Sequence, residues 1–241
     1  MTAQDTNVVE AQRAWERWLR TATTPKPRVL TALETAAAAT EELGRRLAAK
    51  GYPVSKPRIL PSPSVLANLA ALEASTGKAV PPQLRLFWST VGGIRFMDYD
   101  SYRHAEYWSE RGCGGLTDAL TVDPLTDDFA EYLAEEHDNW LEEEGSGRAN
   151  EGLFELTLSP DALHKDNISG GIPYSMAASD QWGEPLLFDG WNENVVSQPT
   201  QNDLVSYLRT GLLECAGFPG LRGDPAFESA RPSLVAGLPV F

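Results

Sequence analysis

Apolar residues recur every three to four positions through the first half of the chain and alternate in short runs through the second. Over residues 8–20, Val8, Ala11, Trp15 and Leu19 fall near a 3.6-residue period and predict a helix. After a polar, proline-bearing break, residues 28–50 predict a longer one, with Leu30, Leu33, Ala37, Leu43 and Leu47 on one stripe and Gly51 as its stop. Pro53, Pro57, Pro61 and Pro63 then mark a linker or extended arm, because proline fixes φ and removes a donor. Two short helices follow. Ser62 or Ser64 caps the first, whose stripe is Val65, Leu69 and Leu72. Pro81 and Pro82 open the second, Leu84, Phe87, Trp88 and Val91 line it, and Gly92-Gly93 ends it. Ile94 to Met97 alternates as a strand does.

Residues 101–123 give no clear period, and Arg111-Gly112-Cys113-Gly114-Gly115 reads as a loop. Residues 124–144 predict an acidic helix with Phe129, Leu133 and Trp140 on one side. Strands are then expected at 154–158, 174–177, 186–188 and 194–197, separated by turns at Gly170-Gly171, Trp182-Gly183 and Asp189-Gly190, as antiparallel neighbours. A closing helix is expected near Thr200, with Asp203 placed as in a capping box. The Pro/Gly-rich tail from Phe218 to Phe241 is expected to wrap the surface. Helices, a run of strands and a closing helix make the fold class α+β.

Composition sharpens this picture at a few points. Its 241 residues and 42% hydrophobic content suit one core, or one core with an extension. No apolar run reaches membrane-span length and the first ten residues have no signal-peptide core, so a cytoplasmic protein is expected. Cys113 and Cys215 lie far apart and read most simply as two free thiols. The net charge of −14 is unevenly spread: residues 1–60 carry +4 and residues 61–241 carry −18. Such a body repels nucleic-acid phosphates and anionic lipid, and attracts a basic protein partner. Acidity for solubility alone is the competing account.

Leu72-Glu73, Val80-Pro81-Pro82-Gln83-Leu84, Phe87 and Gly92-Gly93 resemble the opening helix pair of the SUKH superfamily, the group related to the yeast cell-wall assembly regulator. Leu163 to Tyr174, Tyr207-Leu208-Arg209 and Gly217-Phe218-Pro219-Gly220 resemble a bacterial branch of it. The resemblance covers roughly residues 62–220. It implies an α+β fold with a mainly antiparallel sheet packed by helices, no catalysis and no cofactor. It also implies a protein-binding role: immunity against polymorphic toxins, often nucleases, in bacterial members, and scaffolding in fungal ones. The chain departs from it by a helical extension over residues 1–55 and an acidic insert near 123–148 within a 56–241 domain.

The chemistry-bearing residues are few. His164-Lys165-Asp166 lacks a positioned acid–base partner and reads as a turn into Ser169-Gly170-Gly171. Cys113 and His104 make a conceivable nucleophile pair, but a lone Cys specifies little. Three His without an HExxH pattern give no zinc ligand set. The acidic helix is the stronger candidate. Asp128, Glu131, Glu135 and Glu142 share one face at i, i+3, i+7 and i+14, either as a solvated surface or as an imitation of a phosphate backbone for a basic cleft. With Trp140, Trp182, Trp191 and Asn192 they form the expected partner-binding set. The tryptophans at 182 and 191 read equally as loop anchors or as core. The expectation is a non-enzymatic immunity protein that occludes a basic toxin domain, with an intracellular scaffold as the alternative.

Overall fold

A computed structural model of the chain describes residues 3–54, 56–97, 103–114, 119–145, 154–158, 174–188 and 198–241. Helices α1 (Ala3–Leu19) and α2 (Lys26–Ala49) form where the 3.6 period puts them. Pro27, in the first turn of α2, is tolerated because its missing N–H would have no partner there. The buried stripe of α2 is Val29, Leu33, Ala36, Leu43 and Leu47, all at 0% exposure. Leu30 lies beside that stripe, only half-buried. These residues, with Val8 and Trp15 of α1, belong to the same core as Phe87, Trp88 and Phe218. Polar ties cross residue 55 as well. Arg46 Nη1 donates to Leu234 O and Ala236 O, each at 2.7 Å, and the Tyr52 hydroxyl donates to Phe96 O.

The proline-bearing stretch, expected as a linker or arm, is held in place. Strand β1 (Arg58–Ile59) pairs antiparallel with β2 (Gly93–Arg95), which pairs antiparallel with β3 (Thr121–Val122). The Arg58 guanidinium pairs with Glu41 of α2 at 2.6 Å and donates to Thr90 O and Val91 O, each at 3.3 Å. It thereby satisfies carbonyls left open at a helix end. That helix is α4 (Pro82–Thr90), entered after Pro81 as expected. Before it, α3 (Val65–Thr76) buries Val65, Leu69 and Leu72, and Gly77 ends it in the left-handed conformation. Ser64 occupies the N-cap position of α3 without capping; its hydroxyl donates to Asp127 instead.

Helix α5 (Arg103–Ser109) and β3 form where the residue pattern shows no clear period. Helix α6 (Asp127–Gly145) packs on α3. A second sheet, β4 (Glu155–Thr157), β5 (Tyr174–Ala177), β6 (Pro185–Phe188) and β7 (Gln198–Asp203), is an antiparallel meander in chain order. The backbone N–H of Asp123, just past β3, donates to Leu158 O just past β4, which links the two sheets. Helix α7 (Leu204–Arg209) starts later than expected, because β7 occupies the residues around Thr200. Asp203 caps it through Ser206 N. The chain continues through a π-helical turn, Thr210–Glu214, and a 3-10 turn, Pro219–Leu221. The tail is not a surface wrap. It forms helix α8 (Pro225–Val235), which buries Phe227, Leu234 and Val235, followed by buried Leu238.

The architecture is α+β, as expected: helices around two small antiparallel sheets. The strand expected at 194–197 and the turns at Gly170-Gly171 and Asp189-Gly190 lie outside the described residues. No helix among the described residues is long and apolar enough to cross a membrane.

Candidate functional site

Helix α6 presents two unlike sides. Its N-terminus is fixed by Thr126, whose hydroxyl accepts from Phe129 N at 3.2 Å, a local cap on the first turn. Asp127 accepts from Asn68 Nδ2 at 2.9 Å and from the Ser64 hydroxyl, and these bonds hold its carboxyl below the usual carboxylate range. Asp127 is thus a tie between α6 and α3. The inward side carries Phe129, Leu133 and His137, all buried, and half-buried Trp140. Phe129 meets Trp88 edge-on at 6.5 Å, and His137 stacks on Trp140 at 5.7 Å and meets Phe154, just before β4, at 4.8 Å.

The outward side carries Asp128, Glu131, Glu135 and Glu142, all exposed. At 100° per residue they fall within about 60° of arc, and at 1.5 Å rise they span about 21 Å of helix. Among the described residues no cation pairs with any of the four. The structure therefore brings the four carboxylates into one row and buttresses that row from behind with aromatic packing. Trp140 is not part of the row. It lies on the inward flank against His137 and Phe154, with the Lys78 ammonium 5.1 Å from its ring centre. Trp182 sits half-buried against the core in the turn between β5 and β6, where its carbonyl accepts from Gln83 Nε2 at 2.6 Å. Trp191 and Asn192 lie outside the described residues, as do His164, Lys165 and Asp166.

Cys113 is buried beside the head of α8. Burial pushes its thiol up, and the Asp224 carboxylate adds to the shift, the opposite of what a thiolate nucleophile needs. Asp224 is occupied as the α8 cap, accepting from Ala226 N at 2.9 Å, Phe227 N at 3.0 Å and Gly114 N at 2.9 Å. Burial drives Cys215 higher still, to about 12. Native protein at pH 8 is expected to leave Cys215 unlabelled by iodoacetamide, and denatured protein to label it; rapid native labelling would contradict the buried, protonated thiol. A pKa raised by folding means that the stabilising effect of this thiol is whole below its unfolded value, near 9, and fades as pH climbs toward 12. Cys215→Ala should therefore flatten the loss of stability above pH 9 in urea titrations.

Several buried polar groups hold the frame. Gln83, at 1% exposure, bridges three elements, since its Oε1 also accepts from Val205 N at 3.0 Å. Trp15 Nε1 donates to Asp203 Oδ2 at 3.0 Å and so ties α1 to the cap of α7. Arg209 is buried against the Trp15 and Phe241 rings, each 5.5 Å from its guanidinium carbon, and donates to Gln12 Oε1 and Phe241 O. Burial lowers its pKa to about 10, so it stays charged at neutral pH. Of this network the sequence shows Asp203 as a capping residue and Gln83 as a polar residue on an apolar helix face, while the long-range partners of Trp15 and Arg209 carry no local signal. Among the described residues no three His, Cys, Asp or Glu gather as metal ligands. No family model, no curated protein and no solved structure matches this chain.

Proposed function

We propose that the chain is a non-enzymatic binding protein that docks a basic partner on the outward side of α6. The observation that carries this reading is the row of four exposed carboxylates, unpaired among the described residues, on a helix whose other side is locked into the core. A rigid row of like charges keeps its potential in place for an approaching cation, and such fields raise association rates by about tenfold to a thousandfold. The resemblance to the SUKH superfamily supports a specific form of this reading: an immunity protein that covers the cationic cleft of a toxin, a nuclease being the fitting class. Covering such a cleft needs no chemistry from this chain, only a surface that competes with phosphate for the same cations. The alternative, a scaffold contacting partners through its N-terminal helices, is less favoured, because the apolar stripe of α2 is spent inside the core.

The test starts with immobilised protein and lysate of the source cells at low and high salt, with bound proteins identified by mass spectrometry. One dominant basic protein is expected, released by salt and toxic when expressed without this chain. Asp128→Lys, Glu131→Lys and Glu135→Lys together should slow its association by about tenfold or more at low salt and flatten the salt dependence. These side chains are exposed, so the thermal transition should move little. Unchanged association by the triple variant would remove α6 as the interface.

A further inference from the structure

The first sheet leaves one edge open. The strand order places β1 at the border, and Arg95 N donates to Pro57 O at 2.7 Å. With Arg58 opposite Ile94 and Ile59 opposite Gly93, residues 57 and 59 direct their backbone groups to β2, and residues 56, 58 and 60 direct theirs away from it. Pro57 and Pro61 both fall on the inward-bonding phase. Proline often blunts a sheet edge by deleting an outward donor, but here the missing N–H groups face the sheet. Among the described residues nothing pairs with the backbone N–H or C=O of Arg58 or Leu60.

Side chains of this stretch build a groove beside that edge. Lys56, Pro57, Arg58 and Leu60, with Glu41 of α2, line a hollow of about 270 Å³. Leu60 is 69% exposed, a large apolar side chain with no cover. Glu41 is taken up by Arg58, and no carboxylate among the described residues pairs with exposed Lys56. The groove thus has an open ladder, an apolar post at Leu60 and a spare cation at Lys56, set between a helix and an edge strand. This is the arrangement in which an extended peptide joins a sheet, its main chain giving affinity and alternate side chains giving specificity.

We infer that the groove between α2 and β1 takes an extended segment of a partner protein as an added strand, an apolar side chain against Leu60 and a carboxylate against Lys56. The occupant is acidic, because the groove has a net positive charge and lies within residues 1–60, which carry +4. This site shares no residue with the carboxylate row of α6 and stands whether or not a basic partner binds there.

The probe is a fluorescein-labelled octapeptide of alternating glutamate and valine, followed by anisotropy with the full chain. It is compared with the same peptide carrying lysine for glutamate, and with one methylated on alternate backbone nitrogens. Saturable binding of the glutamate peptide below 1 mM is expected, weakened about fivefold by Lys56→Glu and abolished by N-methylation. The α6 triple-lysine variant should bind it no more weakly than the parent does. Amide exchange followed by NMR should slow at Arg58 and Leu60 on binding. Absence of saturation, equal binding of the lysine or methylated peptide, or exchange slowed elsewhere and not at Arg58 and Leu60, each overturns the inference.

Discussion

A chain lacking residues 1–55 will show no cooperative unfolding transition in urea or on heating. The reason lies in where α2 sits. Val29, Leu33, Ala36, Leu43 and Leu47 are each at 0% exposure within one core, and Trp15 adds the indole that holds Asp203. Burying each of the larger of these side chains contributes roughly 1.5–3 kcal/mol. Their sum rivals or exceeds the whole stability of an ordinary domain, about 5–15 kcal/mol. Removing the two helices also takes Gln12 away from Arg209 and Arg46 away from the α8 carbonyls, leaving a buried cation and those carbonyls open. The point variant Leu33→Ala should cost about 2–5 kcal/mol on the intact chain. A truncated protein that keeps a sharp transition and native near-UV dichroism would show α1 and α2 to be a dispensable appendage.

Gly92→Ala is the single substitution expected to cost most for its size, about 2–5 kcal/mol, from two separable causes. Gly92 has φ +93°, a conformation that L-residues adopt only at a penalty of about 1–2 kcal/mol. A Cβ there would also stand 2.3 Å from Ile59 O and 2.4 Å from Pro61 N, and those are main-chain atoms that cannot rotate aside. Overpacking of that kind adds about 1–3 kcal/mol. The melting temperature should fall by about 10 °C. Gly77→Ala is the control. Its φ is +64° but a Cβ there meets nothing within 4 Å, so only the conformational cost of about 1 kcal/mol applies. Equal losses at the two positions in parallel urea titrations would mean that β1 does not press on the Gly92 backbone as described.

The same contact explains why Gly92-Gly93 carried more than the end of a helix. The pattern of residues marks a stop after Val91, and a stop is present. What the second glycine is for becomes visible only once β3 is in place. A Cβ on Gly93 would lie 2.7 Å from the Pro124 ring, so both glycines serve the close packing of the first sheet.

The candidate site was legible in part. Spacing alone puts Asp128, Glu131, Glu135 and Glu142 on one side of a helix, and the fold exposes all four. The same wheel puts Trp140 with Phe129 and Leu133, about 150° from the carboxylates, and the packing against Phe154 and Lys78 agrees with that side. The role of Asp127, one residue before the row, could not be read, because its partners Ser64 and Asn68 lie on another helix.

By itself the sequence determined the elements that repeat their signal over several turns or rungs. Helices α1 to α4 and α6, and strands β2, β4, β5 and β6, follow from periodicity and from proline and glycine at their ends, because each is written in neighbouring residues. Tertiary structure alone decided the rest. Strands β1 and β3 are two residues long and exist through partners some 30 positions away, so no local period could announce them. Arg209 is buried because Gln12 and Phe241 arrive from opposite ends of the chain to accept its hydrogen bonds. The N-terminal helices and the tail are core because their apolar faces find cover in each other and in α7, and burial is a property of the assembled chain that no segment carries alone.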